Sequence, residues 1–122
     1  MNSPHKISVA KDFSTVPLGR FPDDSTFNGT VFREEWLLPA LAKHDTLQID
    51  FDGAEGYGSS FLEEAFGGLV RLHGFNPSDL LRRISLISKE DPTLIDEIHQ
   101  YIQDAARINQ LASQTKNGAL GN

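Results

Sequence analysis

Residues 46–73 read TLQIDFDGAEGYGSSFLEEAFGGLVRLH. Leu47, Ile49 and Phe51 alternate with Gln48, Asp50 and Asp52, the period-two pattern of a strand with one core-facing side. Asp52-Gly53 closes it. From Ser60 to His73 the period changes. At 100° per residue, Phe61, Leu62, Ala65, Phe66, Leu69, Val70, Leu72 and His73 share one half of a helix, while Glu63, Glu64, Gly67, Gly68 and Arg71 fill the other. Strand, glycine-rich turn and amphipathic helix form one unit, and in open α/β folds the working surface lies beyond the carboxyl ends of the strands. Each of Gly67 and Gly68 disfavours a helix by roughly 1 kcal/mol relative to Ala. Two in succession predict a low, smooth back that admits the close approach of a partner.

Outward from this unit, His5–Ala10 (HKISVA) and Arg83–Ser88 (RISLIS) read as further strands. A brief edge strand is expected near Val16–Phe21, since Pro is tolerated at sheet edges. Asn28 or Thr30 can cap a helix carrying Phe32, Trp36 and Leu37 on its buried side. Pro39 is expected to kink or end that helix. Asn76-Pro77-Ser78 starts a short helical turn. Asp91-Pro92 opens a long helix with Leu94, Ile95, Ile98, Tyr101, Ile102, Ala105 and Ile108 in one stripe. Strands alternating with helices imply an α/β fold with parallel pairing. The expectation is a small domain over residues 1–112, with about four strands in a mixed, mostly parallel sheet and three main helices. A polar tail over residues 113–122 is expected to fray.

The 122 residues carry a formal net charge of −6 and no cysteine. The acidic balance argues against a nucleic-acid binder, which needs a positive field at the phosphates. Without cysteine there is no disulfide framework or thiolate metal site. No apolar run suggests a secretory signal or a membrane span, so a cytoplasmic protein is the default.

The loop Gly53–Ser60 nearly matches two phosphate-binding patterns. Against the P-loop, Ser59 stands where the lysine belongs; against the dinucleotide fingerprint, Phe61 replaces the third glycine. Asp50, Asp52 and Glu55 make the region acidic, which repels phosphate. The two aspartates could instead hold Mg²⁺, as hard cations take carboxylate oxygens; otherwise Asp52 caps loop amides and Asp50 holds a neighbouring element. Ser59 and Ser60 stand at a helix start, where one of them is expected to be the N-cap. Exposed amides and the helix dipole there also favour a phosphorylated hydroxyl. No histidine has recognisable placement as a general base or ligand. No cofactor and no catalytic residue is assigned.

Several pieces together carry a resemblance: DFS (12–14), GR (19–20), GTVFREEWLLPAL (29–41), IDFDGAEGYGSSFLEEAFGGLVR (49–71) and YIQDA (101–105). They resemble the STAS-like bacterial family of unknown function, which is similar in turn to STAS domains such as the anti-sigma factor antagonists. The resemblance implies a small mixed sheet with helices mostly on one side. It also implies a non-enzymatic protein-interaction module in bacterial signalling, with a histidine-kinase-like ATPase as partner. Antagonist STAS domains are switched off by phosphorylation of a serine in a D-S-S-G-L-G motif. In that alignment Ser60 matches the phosphorylated serine and Ser59 its neighbour, while Gly58 replaces the aspartate and Phe61 the glycine. The partner surface expected from this reading comprises Glu55, Tyr57, Gly58, Glu63, Glu64, Gly67, Gly68 and Arg71. A homodimer through the edge of the N-terminal strand is an alternative contact. The alternative function is a small nucleotide-binding or Mg-dependent protein using Asp50, Asp52 and the glycine loop.

Overall fold

The computed structural model describes residues 3–120, with side chains through residue 108. Three strands, β1 (His5–Ser8), β2 (Leu47–Asp50) and β3 (Ile84–Ile87), pair in parallel in the order β1-β2-β3. Ile7 lies beside Ile49, and Ile49 beside Leu86. The alternating apolar positions select the covered face: Ile7, Leu47, Ile49 and Ile84 are buried, whereas Lys6 and Ser85 on the other face are exposed. Helices connect the strands: α1 (residues 29–43), α2 (residues 59–73), α3 (Pro77–Arg83) and α4 (Thr93–Leu120), the last extending past Ser113. Among the described residues no helix is long and apolar enough to cross a membrane.

The core forms one cluster between the sheet and these helices. Phe32 and Leu37 enter it from α1, Phe61, Leu62, Phe66 and Leu69 from α2, and Leu94, Ile98 and Ile102 from α4. Phe32 stacks at a tilt on Phe61, with ring centroids 5.8 Å apart. So α2 is the central helix, with its apolar half against the core and α4 packed alongside.

Three expectations need correction. The sheet is three-stranded and wholly parallel; residues 16–21 form no strand. Pro17 and Gly19 (φ +79°) break the extended run there, and the Leu18 amide bonds to the Phe27 carbonyl at 3.0 Å instead of to a sheet neighbour. Second, α1 does not stop at Pro39. The Leu38 amide reaches back five residues to the Arg33 carbonyl, so the helix widens into a π-type turn just before the ring and continues to Lys43. Third, Leu72 is 61% exposed, at the edge of the arc assigned to the core.

Candidate functional site

The β2–α2 loop is built by carboxylates that accept main-chain amides. Asp50 Oδ1 takes the Asp52 amide at 2.9 Å. The Asp52 carboxylate takes the amides of Lys89 (3.1 Å) and Glu90 (2.9 Å), and Glu90 returns the contact by accepting the Gly53 amide at 2.6 Å. This reciprocal clasp ties the loops after β2 and β3 together. Gly53 sits at φ +96°, a conformation that favours glycine. The Tyr57 hydroxyl donates to the Phe51 carbonyl at 2.8 Å. Burial, and then the nearby charges of Asp50, Asp52 and Glu90, push its pKa well above that of free tyrosine. Both oxygens of Asp52 are thus engaged by the fold. Among the described residues no group of three or more His, Cys, Asp or Glu side chains is placed to hold a metal ion.

Beyond Tyr57 the chain turns into α2. Gly58 is the N-cap residue, with no side-chain cap, which corrects the expectation that a serine fills that role. Ser59 and Ser60 are the first residues of the helix proper, and both are exposed. They line a groove of about 440 Å³ with Leu18, Gly19, Arg20, Asp24 and Gly58. Phe61 behind them is fully buried, so it anchors the helix start in the core and leaves the hydroxyls outside.

From this groove an alternating series of charges runs along α2. Arg20 Nη1 donates to Glu63 Oε1 at 2.5 Å and lies 3.4 Å from Glu64 Oε1. The bond to Glu63, with the negative charges of both glutamates, raises the Arg20 pKa despite partial burial. Arg71 pairs with the other oxygen of Glu63. Arg33 Nη1 donates to the carbonyl of Glu64 at 2.5 Å and to its Oε2 at 2.8 Å, while Arg33 Nε donates to Glu34 at 2.8 Å. Glu34 then meets His73 Nε2 at 2.6 Å. The Arg33 bond, together with the His73 contact, holds the Glu34 carboxyl below the usual glutamate range.

This network overturns the picture of an open glycine back. Gly67, Gly68 and Glu64 are buried. A methyl group on Gly68 would collide with the guanidinium of Arg33, and one on Gly67 would lie 2.5 Å from Glu63 Oε2. The room left by the two glycines is filled by the chain's own ion pairs. Of the residues expected to form a partner surface, Glu55 and Gly58 are exposed, and Tyr57, Glu63 and Arg71 partly so. No histidine lines the groove that holds the two serines. His5 stacks on His44 with centroids 4.2 Å apart, His73 rests on Glu34, and His99 lies on α4.

Two arginines escaped the sequence reading as site residues. Arg33 had a signal: it sits four residues before the buried Leu37, so a charge falls among the apolar positions of α1 and requires a buried partner. Arg20 falls in the GR piece of the resemblance, but the segment around it has no periodicity that would pair it with α2.

Neither a curated protein nor a solved structure matches the chain. A family model does, over residues 28–94, which is more than half of the sequence and includes α1, the clasped loop, the serine-bearing helix start and β3. The chain therefore belongs to the family described as the STAS-like domain of unknown function.

Proposed function

We propose that this protein is a non-catalytic, cytoplasmic protein-interaction module of a bacterial signalling pair. Its contact surface is the Glu55–Ser60 loop with the adjoining Glu63 and Arg71, and it is switched by phosphorylation of Ser60 or Ser59. A partner of the histidine-kinase-like ATPase class would supply the phosphoryl group from ATP. The observation that carries this reading is the pair of exposed serines at the head of the central helix, neither of which is its N-cap, with the Ser59 hydroxyl in hydrogen-bond contact with Tyr101. A phosphate there adds roughly −1.5 to −2 charge at neutral pH. It would share a groove with Arg20 and compete with Glu63 for that guanidinium. Modification would then alter both the charge of the loop and the pairing along α2.

The test is intact-mass analysis of the chain after incubation with ATP and each ATPase encoded beside it, repeated for Ser60→Ala and Ser59→Ala. A single phosphate adduct lost in one alanine variant is the expected result. An unmodified mass under every condition removes the switch. The reading based on Mg²⁺ or nucleotide binding is not favoured, because Asp50 and Asp52 are both engaged with main-chain amides.

A further inference from the structure

We infer that the segment between Ser14 and Asn28 is a docking strap that, together with the Glu55–Ser60 loop, receives a basic, apolar segment of a partner protein. The inference extends the interaction reading above and rests on it. Four large apolar side chains are held in solvent along this strap: Val16 (48% exposed), Leu18 (57%), Phe21 (51%) and Phe27 (38%). Among the described residues only Leu72 and Ile108 are comparably exposed, each on a different element. Apolar side chains gathered in one surface segment mark interaction sites more often than scattered single ones do.

The strap is a built structure. Asp24 Oδ2 accepts the amides of Arg20 (2.9 Å) and Phe21 (3.0 Å), and Ser25 Oγ donates to the Leu18 carbonyl at 2.6 Å. The Gly29 amide donates to the Gly19 carbonyl at 2.9 Å, which fixes the strap to the start of α1. Pro17 is buried beneath it, and Phe27 sets its edge against Phe13 with centroids 5.4 Å apart. The Glu55 amide donates to the Thr15 carbonyl at 2.8 Å, joining strap and loop into one surface. Leu18 and the two serines line the same groove.

The charge of this surface selects the occupant. Asp12, Asp23, Asp24 and Glu55 are exposed on the strap, its approach and the loop, against Lys11 and the 37% exposed side chain of Arg20. Arg20 is already paired with Glu63. A second copy docking by two-fold symmetry would set this acidic patch against itself, whereas lysine or arginine beside apolar side chains complements it.

The test uses the full chain and two synthetic helical peptides with the same leucine pattern, one with lysine and the other with glutamate at the polar positions. Titrations are followed by amide shifts. The lysine peptide should move the amides of Leu18, Phe21 and Glu55, and the glutamate peptide should not. The double variant Leu18→Ser/Phe21→Ser, which changes no charge, should weaken binding at least about tenfold, while Leu72→Ser should leave it unchanged. Equal binding of both peptides, shifts centred away from the strap, or unchanged affinity in the double variant would each overturn the strap. So would a dimer in sedimentation that the double variant dissolves. Binding that survives the strap variant but is lost in Glu55→Lys sinks the strap and leaves the loop reading standing. Loss confined to the strap variant, with Glu55→Lys silent, supports the strap and removes the loop.

Discussion

Arg33 Nη1 lies 2.5 Å from the main-chain carbonyl of Glu64 and 2.8 Å from its Oε2, and both residues are buried. The pair bridges α1 and α2 through the space that Gly68 leaves open. Removing Glu64 leaves the buried Arg33 charge without its main partner, which typically destabilises by about 3–5 kcal/mol, whereas Glu64 without Arg33 keeps Arg20 at 3.4 Å and Arg71 at 3.8 Å. Glu64→Ala should lower the urea midpoint by a loss of that order, and Arg33→Ala by less. Glu34 offers Arg33 only a partial substitute, since its own side chain is 41% exposed and water screens the contact. The double variant Arg33→Met/Glu64→Leu should retain more stability than either single variant, because it removes both charges and fills the space. A double variant as unstable as the sum of the singles would show that the pair carries no mutual coupling.

Glycine-to-alanine substitutions should separate propensity from packing. In a solvated helix Ala is favoured over Gly by roughly 1 kcal/mol. At Gly29 a methyl group would lie 2.7 Å from the Phe61 carbonyl, a main-chain atom with little freedom to move. At Gly68 it would meet the tip of the Arg33 side chain, which can shift only by leaving its buried partner. Overpacking of this kind costs about 1–3 kcal/mol. Thermal unfolding should therefore show a loss for both, larger for Gly29→Ala. A gain in Tm for either would mean that the neighbouring helix yields without strain.

The same contrast shows how far the sequence could be read. Strand periodicity placed β1, β2 and β3, and the apolar arc of α2 was legible from Phe61 to Val70, because burial of one face imposes a period. The polar arc was misjudged for a physical reason. Helical periodicity sorts residues by hydrophobicity, and a buried ion pair such as Arg33 with Glu64 has the same signature as a solvated one. The glycines were recognised as room for something to approach closely, but that something was Arg33 from α1, thirty-odd residues away in sequence. Pro39 does not end the helix, because the π-type turn ahead of it replaces the ordinary α-helical hydrogen-bond pattern that the local rule assumes. The strap shows no period, because turn hydrogen bonds such as those to Asp24 leave none.

The clasp between Asp52 and Glu90 gives a third prediction. Asp52→Ala frees the amides of Lys89 and Glu90 on the β3–α4 loop. Bonds to a charged acceptor contribute about 1.5–3 kcal/mol when well shielded, and the partial exposure of Asp52 reduces that. We expect a loss near the lower end of that range and faster hydrogen exchange at Lys89, Glu90 and Gly53. Added ATP with Mg²⁺ should leave the Tm of the unmodified protein unmoved, since a ligand bound only by the native state would raise it. A metal-dependent rise in Tm abolished by Asp52→Ala would return the nucleotide reading to first place.

Asp24 supplies a prediction at low pH. Its carboxylate accepts the Phe21 and Arg20 amides, and those bonds hold its pKa below the ordinary aspartate value of 3.8. For a depressed carboxyl, the stabilising contribution is present above the unfolded-state pKa and is lost as the pH falls through the folded one. The strap should thus keep its turn throughout the neutral and mildly acidic range and loosen only below about pH 4. Hydrogen exchange at Arg20 and Phe21, corrected for intrinsic rates, should rise there. In Asp24→Asn the pH dependence of that protection should vanish. If protection at these amides falls instead between pH 5 and 7, another group controls the turn.

At high pH the controlling group near the site is Tyr101 on α4. Its hydroxyl donates to Glu97 Oε2 at 2.6 Å, and its pKa is pushed up to about 12, first by burial and then by that bond and the charge of Glu97. In the unfolded chain the phenol ionises near pH 10. Below that value both states hold the proton and the stability contribution is complete. Between about pH 10 and 12 the unfolded state has lost its proton while the folded state keeps it, so stability falls as pH rises. Tyr57 acts in the same direction, its pKa raised mainly by burial. Tyr101→Phe should therefore flatten, without abolishing, the fall in Tm across this window, and its ultraviolet titration should lack one of the two late-ionising phenols. Because Tyr101 faces the groove shared by Arg20, Glu63 and Arg71, the same variant also probes whether α4 steadies the Arg20–Glu63 pair. An unaltered pH profile would mean that the Tyr101–Glu97 contact does not persist in solution.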